Sequence, residues 1–108
     1  MLVIKQGDTY RLPVYITIDE EHLTDENARK VEFAFETRDQ TILKYYPNEV
    51  VFEDGCFVVP LTQEDTFALR KGVFRYKIRT LLMNGEEVRS TDIMSGSVEE
   101  SISREVLK

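Results

Sequence analysis

The chain has 108 residues, 42% hydrophobic and 31% charged, which is enough for one domain around a single two-layer core and leaves little for an enclosed substrate cavity. Its 20 acidic residues outweigh 14 basic ones, and a net charge of −6 argues against nucleic acid or an anionic membrane as partner, since both reward clustered Lys and Arg. One cysteine, Cys56, excludes an internal disulfide, Met1 to Asp8 turns polar too early for a signal peptide, and no apolar run approaches the ~20 residues of a membrane helix, so the expectation is a protein of a reducing cytoplasm.

Period-2 alternation dominates the chain, and this predicts strands. Leu2 to Gln6 reads as a first strand stopped at Gly7-Asp8. From Thr9 to Ile18, Tyr10, Leu12, Val14, Ile16 and Ile18 share one face, and Pro13, which has no amide to donate, predicts an edge strand or a bulge. Asp19 to Lys30 is polar and acidic and reads as an exposed loop. Arg29 to Arg38 follows, with Val31, Phe33, Phe35 and Thr37 inward. Thr41 to Tyr46 is a strand closed by Pro47-Asn48. Glu49 to Glu53 and Cys56 to Leu61 flank Asp54-Gly55, a two-residue hairpin turn whose positions favour positive φ.

Thr62 to Lys71 is the one helical turn expected inside the domain. Thr62 is its N-cap, Gln63, Glu64 and Asp65 fill a first turn that favours carboxylates, and Gly72 is its stop. Val73 to Met83 then predicts the longest strand, joined through Asn84-Gly85 to a partner from Glu86 to about Gly96. With a two-residue loop, Met83 faces Glu86, Leu81 faces Val88, Lys77 faces Asp92 and Tyr76 faces Ile93. Phe74, Tyr76, Ile78, Thr91 and Ile93 then form a core layer, while Arg75, Lys77, Arg79 and Asp92 face out beside an apolar end of Leu81, Met83 and Val88. That end is a candidate contact surface; the plainer account is a neighbouring loop that covers it.

The C-terminal stretch admits two readings. Ser97 to Glu100 fits a capping box, and Val98, Ile102 and Val106 recur every fourth residue, as in a short helix from Val98 to Leu107 that must dock on something. Equally, the last strand runs through Val98 and leaves a frayed tail. The chain thus divides into a β-sandwich over residues 1–96 and a tail or short helix over 97–108. The fold class is all-β, with about seven to eight strands.

No constellation for catalysis or metal binding stands out in the sequence. His22 has no second histidine to partner it and reads as a solvated loop residue. The carboxylates between Asp19 and Asn27 lack the spacing and the glycine of a calcium loop. Cys56 has no neighbouring base and reads as a structural thiol. No nucleophile–base pair, phosphate-cradling loop or paired-cysteine zinc spacing is present, so neither an enzyme nor a cofactor is expected. Tyr15, Tyr45 and Tyr46 would serve an alternative function, a carbohydrate- or peptide-binding module, if they stacked on a ligand rather than on their neighbours.

Several short stretches carry a family likeness: Gln6-Gly7-Asp8-Thr9 before an alternating strand, Leu23-Thr24 leading into Val31-Glu32-Phe33, and Leu61 to Asp65 followed by Gly72 to Ile78 and then Asn84-Gly85. Together they resemble the immunoglobulin-like domain at the N-terminus of phage baseplate upper proteins, and related stand-alone prophage structural proteins of Gram-positive bacteria. The resemblance spans nearly the whole chain. Phe74 stands where a corner tyrosine of an immunoglobulin domain is expected, and the acidic loop is longer than in that pattern. The resemblance implies an immunoglobulin-like antiparallel β-sandwich without catalytic residues, made in the bacterial host cytoplasm and then built into a virion tail or baseplate. Its partners would be other virion or tail proteins, and a second copy in a homo-oligomer. Leu81, Met83, Val88, Val98, Ile102 and Val106 are the residues expected at a protein interface.

Overall fold

Along one strand, Ala28–Glu36, the residues Val31, Phe33 and Phe35 are buried while Lys30 and Glu36 stay in water, as strict alternation requires of a sheet with one wet face. The computed structural model describes residues 2–108, and most of them follow this rule. In chain order the strands are β1 (Leu2–Lys5), β2 (Tyr10–Val14), β3 (Thr17–Ile18), β4 (Glu21–His22), β5 (Ala28–Glu36), β6 (Thr41–Tyr46), β7 (Val51–Glu53), β8 (Cys56–Leu61), β9 (Gly72–Leu82), β10 (Val88–Ser90) and β11 (Met94–Glu99), with one helix, α1 (Gln63–Ala68). A six-stranded sheet runs β1-β11-β9-β5-β6, with β10 also on β9. A three-stranded sheet runs β2-β8-β7, and β3 pairs with β4. The fold is all-β.

The two larger sheets share one core. Phe57 of β8 is wholly buried, with ring centroids 6.3 Å from Phe33, 5.1 Å from Tyr46 and 4.9 Å from Phe52, so aromatics of both sheets meet on it. Offset and edge-on contacts of this kind add about 0.5–1.5 kcal/mol per pair beyond area burial. Pro13 lies where its missing amide predicts, on β2 at the edge of the small sheet. Asp54 and Gly55 both take positive φ, at 51° and 79°, and make the expected hairpin.

Helix α1 and the segment after β1 lock one end of the domain. The Thr62 hydroxyl accepts from the Asp65 amide at 3.1 Å, and the Asp65 carboxylate accepts from the Thr62 amide at 2.8 Å. Lys44, the one charged residue of β6 that faces inward, reaches the same carboxylate at 2.8 Å. Burial would raise the Asp65 pKa, but Lys44 and the Thr62 amide together hold it below the usual carboxylate range. Gly7, at φ +87°, donates its amide to the Thr66 hydroxyl, and Gln6 donates its side-chain amide to the Leu69 carbonyl. The Gln6 carbonyl oxygen in turn accepts from the Ser101 amide, which ties the C-terminal segment to the same knot.

The structure corrects several expectations. The arrangement is not wholly antiparallel, because β1 pairs with β11 in parallel, Leu2 opposite Gly96. The acidic stretch is not a plain loop: β3 and β4 form a small hairpin whose turn, Asp19-Glu20, takes positive φ without glycine. Helix α1 ends at its C-cap Leu69, short of Lys71, and Gly72 opens β9 at φ +111° instead of stopping the helix. The loop after β9 is wider than two residues, because the Leu82 amide donates to the Glu87 carbonyl and the Asn84 side chain accepts from the Glu86 and Glu87 amides. Leu81 does face Val88, but beyond Ser90 the register slips by one, so that Met94, not Ile93, faces Tyr76. Ile93 is therefore exposed, and Lys77 does not face Asp92. No helix forms over Val98 to Leu107. The last strand runs through Val98 to Glu99, since a β position between the buried faces of β9 and β1 gains more apolar contact than a ten-residue helix could offer.

Two substitutions test this packing. A Cβ at Gly96 would stand 2.5 Å from the Leu2 carbonyl oxygen and 2.5 Å from the Phe74 ring, so Gly96→Ala should destabilise by about 1–3 kcal/mol in chemical denaturation. The Thr80 hydroxyl is fully buried without a hydrogen-bond partner, so the near-isosteric Thr80→Val should be neutral or stabilising by up to about 1 kcal/mol in the same assay.

Candidate interaction surface

Among the described residues, no other element covers the outer face of the six-stranded sheet, and strand register sets its chemistry row by row. In the middle row Leu43 of β6, Ala34 of β5 and Lys77 of β9 lie side by side, and Ile93 continues the row beyond Lys77. One row towards α1 stand Thr41, Glu36, Arg75 and Ser95. One row the other way stand Tyr45, Glu32, Arg79 and Ser90. Alternation explains why: Glu32, Ala34 and Glu36 are the outward residues of β5, and Arg75, Lys77 and Arg79 those of β9.

Opposite charges thus face each other across the two central strands. Arg79 donates to Glu32 through two nitrogens, at 2.8 and 3.1 Å, and Arg75 pairs with Glu36. The Tyr45 hydroxyl also donates to Glu32 at 3.1 Å, while the Lys30 ammonium lies 4.9 Å from the Tyr45 ring centre. The Arg79 hydrogen bonds, helped by the Tyr45 hydroxyl and by Lys30, hold the Glu32 carboxyl below its ordinary range although partial burial pushes the other way. The Tyr45 phenol is pushed up, first by burial and then by its bond to that carboxylate.

Large apolar side chains stand among these charges. Leu43 is 44% exposed, Val88 54%, Ile93 55% and Val73 73%. Leu81 and Val88, paired across β9 and β10, border a shallow depression with Lys30, Glu32, Tyr45 and Arg79. A second apolar feature is a groove of about 550 Å³ at the seam between the sheets, where Leu12 and Val14 of edge strand β2 stand across from Tyr76, Ile78 and Met94.

The six expected interface residues fall into separate groups. Leu81 and Val88 lie on the outer face and Met83 on the adjoining loop, all accessible. Val98 is 4% exposed and belongs to the core, so its place at an interface is corrected. Ile102 is fully exposed and Val106 half-buried, both on an irregular tail at the opposite end of β9. That tail is fastened to α1: the Gln63 side chain donates to the Leu107 carbonyl at 2.7 Å and accepts from its amide at 2.8 Å, and Arg104 stacks on Phe67. The three tyrosines share no face. Tyr15 is exposed beyond β2 and stacks on His22, Tyr45 lies on the outer face, and Tyr46 packs on Phe57. Cys56 is buried and donates to the Glu53 carbonyl, and His22 lies 3.1 Å from the Gly55 carbonyl.

Ile93, Leu43 and Val73 were not among the expected contact residues. Ile93 reads as inward until the slip after Ser90 is known; the run Ser90-Thr91-Asp92, polar on both faces, is the only sequence mark of that slip. Among the described residues, no group of three or more His, Cys, Asp or Glu is placed to hold a metal ion, and no helix is long and apolar enough to cross a membrane. Comparison with protein-family models, with curated proteins and with solved structures gives no match.

Glu32 offers a direct check on these electrostatics. Its folded pKa lies below the unfolded value, so its contribution to stability is complete above the ordinary carboxylate range and is lost as pH falls through the folded pKa. In Arg79→Met, carboxyl-detected NMR titration should show the Glu32 pKa climbing back towards the ordinary value, and the acid decline of stability should be shallower than in the parent, because the folded and unfolded pKa values of Glu32 then nearly coincide.

Proposed function

We propose that this chain is a non-enzymatic structural domain, an adaptor or decoration protein of a phage or prophage tail or baseplate, working through protein–protein contacts on an immunoglobulin-like β-sandwich scaffold. The observation that carries the contact reading is the uncovered sheet face, where Leu43, Val73, Val88 and Ile93 stand exposed among fixed Arg–Glu pairs, the mixture of apolar anchors and oriented polar groups on which docking surfaces rely. The choice of assembly rests on the sequence resemblance. One of its pieces lies close to another: the Gly7 amide donates to the Thr66 hydroxyl, directly after Leu61 to Asp65.

On this reading the protein is made in the host cytoplasm, its partners are other virion proteins, and it needs no cofactor. Particles purified by density gradient from a host carrying this gene should contain the chain in fixed ratio to the tail proteins by quantitative mass spectrometry. A chain found only in the unassembled fraction, with complete tails formed in a deletion strain, would overturn the assignment.

A further inference from the structure

We infer that the outer face of the six-stranded sheet is a self-complementary interface on which a second copy of this chain packs face to face. The inference goes beyond the tail reading and does not depend on it, because it follows from strand register alone. Consider a two-fold axis in the plane of contact, running between β5 and β9 and nearly along them. It lays β9 of one copy over β5 of the other and leaves each residue at its own height.

The rows then match without exception in the centre. Arg75 and Arg79 come over Glu36 and Glu32 of the second copy, at the heights where they already pair within the chain. Each two-charge pair becomes a square of alternating sign. Lys77 comes over Ala34, the one small residue between those two carboxylates, so its stem has room and its ammonium has an acid on either side. At the ends of the middle row, Ile93 comes over Leu43 of the other copy, and the two-fold repeats this apolar contact. Thr41 meets Ser95 and Tyr45 meets Ser90, hydroxyl against hydroxyl. An axis across the strands at the Lys77 row sets Arg75 over Arg79, and one running along β5 sets Glu over Glu. Packed sheets cross at about 30°, which at the distance of Ile93 from the axis displaces the contact by only ~4 Å.

Extent agrees with charge. About this axis four strand positions overlap, β6, β5, β9 and β10/β11, while β1 has no counterpart; at about 4.8 Å apart, with five outward rows along β9 from Val73 to Leu81, they give a face of about 500–600 Å² per copy, or roughly 1,100 Å² in all, the size of a weak, reversible dimer. The net charge of −6 on each copy opposes association at long range, but at physiological salt it is screened beyond about 8 Å, while the Arg–Glu squares act at contact.

Site-specific cross-linking tests the arrangement. Leu43 and Ile93 of one chain are three strand spacings apart, about 14 Å, too far for a disulfide within a copy. Mixed in the presence of a short bismaleimide of about 8 Å reach, which suits the ~10 Å between stacked sheets, Leu43→Cys and Ile93→Cys proteins should form a cross-linked pair, whereas neither variant alone should link, since each cysteine faces the other position across the axis. Sedimentation of the unmodified chain should show a monomer–dimer equilibrium, and Ile93→Asp, at an exposed site that leaves the fold intact by circular dichroism, should raise the dimer Kd about tenfold or more. A chain that stays monomeric at millimolar concentration overturns the proposal, as does a dimer in which each cysteine variant links to itself and not to the other. A dimer that forms this way in a protein absent from tail particles would leave the interface standing and remove only the tail assignment.

Discussion

The rest of the structure depends on the contact that Phe57 makes between the two sheets. A three-stranded sheet has too few strands to bury a face by itself, and the six-stranded sheet has one apolar face to hide. Phe57 reaches across to Phe33 and Tyr46 while holding Phe52 of its own sheet, so neither layer is well packed without the other. Because the inner faces are committed to this contact, alternation leaves the outer residues of β5 and β9 no role in the core. Their charge pattern is free to be set by something else, and it is more ordered than solubility alone requires.

Much of the framework is legible in the residues. Unbroken alternation places β5, β6 and β9, Asp54-Gly55 places a hairpin, and Thr62 with Asp65 places the helix cap. What fails does so where local pattern is silent about register or partner. Ser97 to Val106 satisfies a helical template as well as a strand, and only the presence of β9 on one side and β1 on the other decides for the strand. The slip between Ser90 and Met94 shifts one residue and thereby sends Ile93 from core to surface, because the side-chain period of a strand is two. The contact surface was only partly legible: Leu81 and Val88 follow from the hairpin register, whereas Leu43 joins them only once β6 is known to flank β5.

Edges are treated unevenly in this fold. Strand β6 carries an inward lysine held by Asp65, and its outer backbone at Tyr45 is closed by the Val50 amide and the Glu49 carboxylate. Strand β2 carries Pro13. Both devices discourage a foreign strand from adding at these two edges.

The parallel pairing of β1 with β11 has a mechanical consequence. Leu2 sits beside Gly96 and Lys5 beside Glu99, so tension drawing Leu2 and Glu99 away from each other pulls these strands lengthwise past one another. All four residue pairs of that ladder share the load at once, as overlapped tape resists being slid, whereas an antiparallel terminal pair would release its bonds in succession, like a zip. A pull applied between Leu2 and Glu99 therefore meets this ladder in shear, with its bonds loaded together.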